Sequence, residues 1–202
     1  FWPGNPDIDK QAPFVNWSPV SSLDGFEYYP AISPDKNFMV YSYKKSKGYP
    51  NVLMLQNLKN HQVRQLTQDE FDDFGASWRP DGKAIAYQQL KYRELCEIRL
   101  LTFTGEPGQS ATKDELLATC GKNSASSRLS WAPDGKSILF SSDENNAQRM
   151  AIFSLDIASL SKTQLALPVT PGWAVLLHAI LTMAIKSPFY VMWLETLCRF
   201  GC

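Results

Sequence analysis

Short apolar runs, several of them alternating with polar residues, recur along this chain in three aligned copies. Residues 29–42, 75–88 and 128–141 match one another position by position. In each copy a short apolar stretch enters a turn, and an alternating stretch leaves it, as at 84–87 and 137–140. Alternation over four or more residues is typical of a half-buried β-strand. Each copy therefore predicts a β-hairpin.

The three turns have closely related sequences that fit a tight reversal of the chain. Pro presets φ, Asp can cap the turn through its carboxylate, and Gly accepts a left-handed backbone. The first copy departs from this pattern, with Lys36-Asn37 where the other two have Gly-Lys. We expect the aspartates to be turn caps and not catalytic groups. The turn residues are Pro34, Asp35, Pro80, Asp81, Gly82, Pro133, Asp134 and Gly135.

The distance between copies leaves room for two more strands in each. Their prolines lie 46 and 53 residues apart, and further strand-like runs follow each hairpin, at 52–55, 62–66, 96–103, 115–118, 150–155 and 163–167. Four strands per roughly 45 residues is the size of a β-propeller blade. The predicted fold is all-β, a partial β-propeller of about three four-stranded blades. The boundaries are an extended lead-in at 1–19 and blades at about 20–67, 68–120 and 121–170.

The turn motif Pro-Asp-Gly-Lys-x-Ile-Ala-Tyr resembles the TolB-type β-propeller repeat, over about residues 20–170. Three copies at blade spacing make the resemblance specific for the fold. It implies a platform that binds a protein or small ligand at the propeller face. Related blades also occur in the amino-terminal propellers of prolyl-oligopeptidase-type peptidases, so that alternative stays open.

The four cysteines allow three pairings. Cys96 opens the third strand of the second blade and Cys120 closes its fourth. Those two ends meet in an antiparallel pair, so a disulfide between them is expected. The alternative is two unpaired, half-buried thiols. A disulfide implies an oxidising compartment, such as the periplasm.

The surroundings of these cysteines resemble the periplasmic propellers of CadC/ToxR-like transmembrane transcriptional regulators. The shared features are Cys-Glu-Ile-Arg-Leu at 96–100 and Leu-Ala-Thr-Cys at 117–120, with a hydrophilic stretch between them. This resemblance implies a periplasmic sensor, tethered to the inner membrane in the full-length protein. A TolB-like envelope scaffold is the alternative of the same class.

Composition excludes several chemistries. The chain has 20 Lys+Arg and 20 Asp+Glu, and a neutral chain lacks the basic excess of a nucleic-acid binder. Its two histidines are too few for a multi-histidine metal site. No Gly-x-Ser-x-Gly motif is present. We therefore predict no catalytic, cofactor or metal site, and no contact with nucleic acid through this region.

Two clusters stand out as candidate binding residues. Asp69, Glu70, Asp72 and Asp73 form an acidic loop that could hold a cation or a basic partner, although a solvated loop is the simpler interpretation. Five tyrosines could add to a peptide-binding face, with core and edge packing as the safer interpretation. They are Tyr28, Tyr29, Tyr41, Tyr43 and Tyr49. One repeat position holds large apolar residues that we expect in blade cores, namely Ile32, Trp78 and Trp131.

The segment 171–202 differs from the rest of the chain. It carries three charged residues and no Pro-Asp-Gly turn, so the expectation is an irregular or helical tail. Reading the degenerate codons of 178–196 in another frame restores a blade-like hairpin at the expected distance. The hypothesis is therefore that this tail is the product of a reading-frame shift.

Overall fold

The computed structural model describes residues 19–21, 23–68, 70–109, 112–126, 128–143 and 150–166. The described chain forms three four-stranded antiparallel sheets, each a blade whose strands follow chain order. This confirms the predicted partial β-propeller of three blades. Residues 1–18 of the predicted lead-in and the whole tail at 171–202 lie outside the described residues.

The strand bounds follow the predicted runs closely. Blade 1 contains β1 (Phe26–Ile32), β2 (Phe38–Lys44), β3 (Val52–Asn57) and β4 (Val63–Gln65). Blade 2 contains β5 (Asp72–Trp78), β6 (Ala84–Lys91), β7 (Leu95–Phe103) and β8 (Thr112–Cys120). A short 3-10 helix (Lys122–Ser126) precedes blade 3, which contains β9 (Ser130–Trp131), β10 (Ser137–Ser142), β11 (Ala151–Asp156) and β12 (Lys162–Ala166). Within the described ranges, no helix has the length and apolar character needed to cross a bilayer.

The repeated turns connect the first two strands of every blade. In each, an aspartate carboxylate accepts a hydrogen bond from the main-chain amide two residues later, and the Asp81–Lys83 distance is 2.9 Å. The residue after the aspartate has a left-handed backbone, with φ of +72° at Gly82 and +69° at Gly135. Lys36 adopts the same conformation in the first turn, at +62°. The turn geometry is thus kept even where glycine is absent.

The core lies between blades and not within any single sheet. One buried cluster joins blade 1 to blade 2, with Val40 and Leu53 opposite Ile85 and Tyr87. A second cluster joins blade 2 to blade 3, around Phe140. Since each sheet buries both faces only where it has a neighbour, every blade depends on the next one for its stability.

One core prediction is wrong. Trp78 and Trp131 are buried, but Ile32 at the same repeat position is 60% exposed. Each tryptophan packs against the preceding blade, and the described residues place no blade before β1. Phe26 is exposed on the same strand for the same reason.

The second blade contains a disulfide between Cys96 and Cys120, the pairing that the sequence predicts. The two residues face each other across β7 and β8, with their Cα atoms 4.9 Å apart. Both are buried among the apolar residues between blades 2 and 3. The disulfide joins the start of β7 to the end of β8. It lies just before the 3-10 helix that leads from blade 2 to blade 3.

Candidate functional site

Three connections between strands lie at one end of blades 1 and 2 and border an open cavity of about 300 Å³. They are the loop between β2 and β3, the connection from β4 to β5, and the turn between β6 and β7. We call this cavity the inter-blade groove. Its walls include Tyr49, Glu70, Phe71, Asp72, Tyr92 and Arg93.

The predicted acidic loop does not form one cluster. Asp69 lies outside the described residues, and Glu70 is an exposed residue of the groove wall. Asp72 also lines the groove, whereas Asp73 is completely buried behind it. Consecutive residues of β5 point to opposite sides of the strand, so the acidic side chains have different environments.

Asp72 connects the two walls of the groove. Its Oδ1 accepts hydrogen bonds from the main-chain amide and the side-chain Nδ2 of Asn51, at 2.9 and 2.8 Å. Lys44 Nζ lies 3.9 Å from the same oxygen. The main-chain amide of Asp73 donates in return to the carbonyl of Asn51. These contacts fix the loop of blade 1 onto the inner strand of blade 2.

The buried Asp73 has an unusual protonation equilibrium. Removal from water raises the pKa of its carboxyl to about 7, against opposing hydrogen bonds from Thr67 and Gln89. Gln89 Nε2 donates to Asp73 Oδ1 at 3.0 Å. A carboxyl of this kind is largely neutral at slightly acidic pH, and it supports the groove from behind without lining it.

A network of ion pairs stabilises the wall of the groove that the β6–β7 turn forms. Glu97 binds both Lys91 at 3.0 Å and Arg99 at 2.7 Å. Arg99 also contacts Asp114, which accepts a hydrogen bond from Tyr87. Burial alone would raise the pKa of Glu97, but hydrogen bonds from Lys91 and Arg99 hold it below its ordinary value. The network spans β6, β7 and β8 and so braces the base of the β6–β7 turn.

Aromatic rings form the surface of the groove. Phe71 and Tyr92 meet edge to face with ring centroids 5.3 Å apart, and Lys91 Nζ lies 5.3 Å from the Phe71 ring. Tyr49 stands on the other side, with Lys45 Nζ 5.5 Å from its ring. Tyr49 is 49% exposed and Tyr92 is 81% exposed. Both rings therefore remain available to a ligand.

The β6–β7 turn has a strained backbone. Tyr92 and Arg93 both have left-handed conformations, with φ of +53° and +60°. Both residues lie in the three-residue connection between Lys91 and Leu95, at positions where Gly or Asn would have less strain. A left-handed conformation costs roughly 1–2 kcal/mol per ordinary residue. Strain of this kind occurs in tight turns, as at Lys36, and also at binding sites.

Sequence reasoning missed Tyr92 and Arg93. The available signal was a hairpin with Lys-Tyr-Arg-Glu between two apolar strands, at a point where Gly, Asn or Pro would be usual. Tyr49 is the one tyrosine of the predicted set that lines the groove within the described chain. Tyr41, by contrast, is buried in the sheet of blade 1.

A second cavity, of about 540 Å³, opens at the opposite end of the same two blades. It lies between the β3–β4 hairpin and the β7–β8 connection, above buried Phe38 and Leu55. Side-chain amides such as Asn60 and Gln62 line it, and these two hydrogen-bond each other. The larger cavity thus has polar walls and lacks the exposed rings of the inter-blade groove.

Comparison with known proteins identifies the fold of this chain. Neither a known family model nor a curated protein matches the sequence. Among solved structures, TolB from Acinetobacter baumannii aligns with a TM-score of 0.59 and 20% identity, over 73% of this chain and 34% of that one. A puromycin-hydrolyzing peptidase from Mycobacterium tuberculosis aligns with a TM-score of 0.54 and 14% identity, over 71% and 24%.

The propeller domain of the Trilobed protease from Pyrococcus furiosus aligns with a TM-score of 0.50 and 17% identity, over 71% of this chain and 44% of that one. These identities show a shared TolB-like propeller fold and nothing finer. The chain spans about a third of the length of the Acinetobacter TolB.

Proposed function

We propose that this chain is a non-enzymatic binding module that works outside the cytoplasm, as the sensor part of a membrane-tethered transcriptional regulator. The observation that carries the proposal is the buried Cys96–Cys120 disulfide inside a TolB-like propeller. Disulfides persist in oxidising compartments such as the periplasm and are rare in the cytosol. The CadC/ToxR-like sequence around both cysteines supports the same role.

The mechanism follows from the position of the inter-blade groove. Its walls are held by Asp72 on one side and by the Glu97 network on the other, so a ligand meets a surface that is already formed. A protein or small ligand that binds there would bias how the propeller contacts the membrane-tethered part of the regulator. The groove has rings and charges suited to binding. Neither nucleic acid nor a cofactor has a part in this proposal.

Two other functions remain candidates. One is a TolB-like envelope scaffold, supported by the alignment with the Acinetobacter TolB. The other is the propeller domain of a prolyl-oligopeptidase-type serine peptidase, supported by the alignment with the puromycin-hydrolyzing peptidase. Labelling of the natural gene product by a serine-reactive fluorophosphonate would favour the peptidase.

The first test is the redox state of the cysteines in living cells. Cells that produce the natural gene product are quenched in acid, denatured and treated with a maleimide before and after reduction. The proposal expects Cys96 and Cys120 to react only after reduction. Reaction of both thiols without reduction would place the chain in a reducing compartment and would overturn the proposal.

The second test addresses the regulatory role. Transcripts are compared between the parent strain, a strain that lacks the gene, and a strain whose product carries Tyr92→Ala and Arg93→Glu. A sensor predicts one defined set of transcripts that changes in both altered strains. A scaffold predicts loss of envelope integrity in the deletion strain without such a set.

A further inference from the structure

We propose that the inter-blade groove binds an extended segment of a partner polypeptide, in which an apolar residue lies between one acidic and one basic residue. This inference rests on the proposed binding function and adds the class of ligand and its location. It rests on exposed rings, on two charged side chains with no partner among the described residues, and on rigid walls.

The rings supply the apolar part of the site. Tyr49 and Tyr92 stand on opposite sides of the groove, and Phe71 packs against Tyr92. Tyrosine gives a large contact area at a low entropic cost, because its side chain has two rotatable torsions. An apolar side chain of the ligand fits between these rings. Tyr92 is 81% exposed, so most of its ring surface is open to a ligand.

The charges supply the orientation of the ligand. Lys44 and Asp72 both line the groove and already form an ion pair, with Lys44 Nζ 3.9 Å from Asp72 Oδ1. Arg93 and Glu70 have no ion pair or hydrogen bond within the described parts of the chain, and both line the groove. A ligand that matches them must carry both signs of charge. An acidic residue would meet Arg93, and a basic residue would meet Glu70.

This pattern favours a polypeptide over other ligands. Nucleic acids and anionic lipid surfaces carry negative charge alone, so Glu70 and Asp72 would repel them. Neutral glycans would leave Arg93 and Glu70 without charged partners. A peptide supplies both charges and an apolar residue within a few positions, since an extended chain advances about 3.3 Å per residue.

The walls are rigid enough for a short segment to bind. Asn51 and Asp72 share two hydrogen bonds, and a third joins the Asp73 amide to the Asn51 carbonyl. On the other side, Glu97 holds Lys91 beneath the turn. A site that is already formed loses less conformational entropy when the ligand binds. The groove can therefore bind a short segment at a lower entropic cost than a mobile loop could.

The test uses the full chain with its disulfide intact and a phage-displayed library of random peptides. Enriched peptides are synthesised and their affinities measured by fluorescence polarisation. The proposal expects enriched sequences with an apolar residue between an acidic and a basic one. Tyr92→Ala should weaken binding roughly tenfold or more, as for a central aromatic contact. Arg93→Glu should shift the preference from an acidic to a basic residue at one peptide position.

Matched controls lie away from the groove. Tyr28 is exposed on β1, and Lys59 is exposed in the β3–β4 hairpin. Tyr28→Ala removes the same ring and Lys59→Glu makes the same reversal of charge, and both should leave affinity unchanged. A library that yields no enriched peptide overturns the inference. Peptide binding that survives both groove substitutions overturns the location but leaves the binding function intact.

Two further probes separate the ligand classes. Binding of neutral oligosaccharides or of anionic phospholipid vesicles, lost in Tyr92→Ala, would overturn the peptide assignment and retain the groove. The proposed extracytoplasmic function fails on different results, namely free thiols in cells and transcripts that do not change in the strain that lacks the gene. The two failures are therefore distinguishable.

Discussion

The indole nitrogen of Trp131 donates a hydrogen bond to the main-chain carbonyl of Ser77, at 3.0 Å, and so ties blade 3 to the inner strand of blade 2. One repeat earlier, Trp78 makes the same hydrogen bond to the carbonyl of Ala31, at 3.1 Å. The repeat thus encodes a contact between blades as well as a hairpin within each blade. The same hydrogen bond therefore joins each described blade to the one before it.

Replacement of Trp131 should therefore be costly. Trp131→Phe keeps a ring but removes the hydrogen-bond donor and part of the buried volume, so we expect a loss of about 1–3 kcal/mol in the free energy of unfolding. Ile32→Val at the equivalent exposed position should change stability by less than about 0.5 kcal/mol. Urea denaturation measures both variants. Equal effects at the two positions would contradict this account of the blade contact.

The first hairpin turn offers a stabilising substitution. Lys36 has a φ of +62°, where the equivalent positions hold Gly82 and Gly135. Lys36→Gly relieves the left-handed strain and should stabilise the chain by roughly 0.5–1 kcal/mol, after allowance for the greater entropy of unfolded glycine. Gly82→Lys should destabilise it by a similar amount. Thermal unfolding followed by circular dichroism measures both, and a destabilising Lys36→Gly would refute the interpretation.

The disulfide should contribute substantially to stability. It closes a segment with a sequence separation of 24 residues, for which the loss of chain entropy in the unfolded state is worth roughly 3 kcal/mol. Reduction of the wild-type chain and the double substitution Cys96→Ala/Cys120→Ala should both lower the denaturation midpoint. The reduced wild type serves as the control for the lost side-chain volume. An unchanged midpoint after reduction would show that the bridge constrains little.

The free energy of unfolding should depend on pH because the pKa of Asp73 is raised. Its folded pKa of about 7 lies above its unfolded value of 3.8, so the folded state binds the proton more tightly. This contribution to stability is complete below pH 3.8 and is lost as the pH rises through 7. Between pH 5 and 8 the loss should be roughly 2–3 kcal/mol. Urea denaturation at several pH values measures it.

Asp73→Asn is the matched control for this pH dependence. The amide cannot ionise, so the fall in stability between pH 5 and 8 should largely disappear. Asp35, Asp81 and Glu97 have lowered pKa values and lose their contributions only at more acidic pH, outside this window. A wild-type chain that is equally stable at pH 5 and 8 would contradict the raised pKa.

Local features of the fold were predictable from sequence because they depend on residues close together in the chain. The turns around Asp35, Asp81 and Asp134 are of this kind, and so is the Cys96–Cys120 pairing, which needs only two neighbouring strands. Ile32 was misplaced because its burial depends on a neighbouring blade and not on its own sequence. A residue at this repeat position is buried only where a preceding blade packs against it.

The site was harder to predict because it depends on contacts between strands and between blades. Glu97 binds Lys91 and Arg99, and that arrangement follows from the register of β6 against β7. Asp72 and Asp73 are adjacent in sequence, yet one lines the groove and the other is buried. The acidic run at 69–73 was visible in the sequence. The packing of β5 against blade 1 decides which of its side chains face solvent.

Hydrogen–deuterium exchange with a selected peptide tests the location of binding most directly. The full chain is compared with and without the peptide, and protection is mapped along the sequence. The account predicts protection in three segments that surround the groove, at 45–51, 70–72 and 91–94. Protection confined to 57–62 and 104–109, at the second cavity, would contradict it.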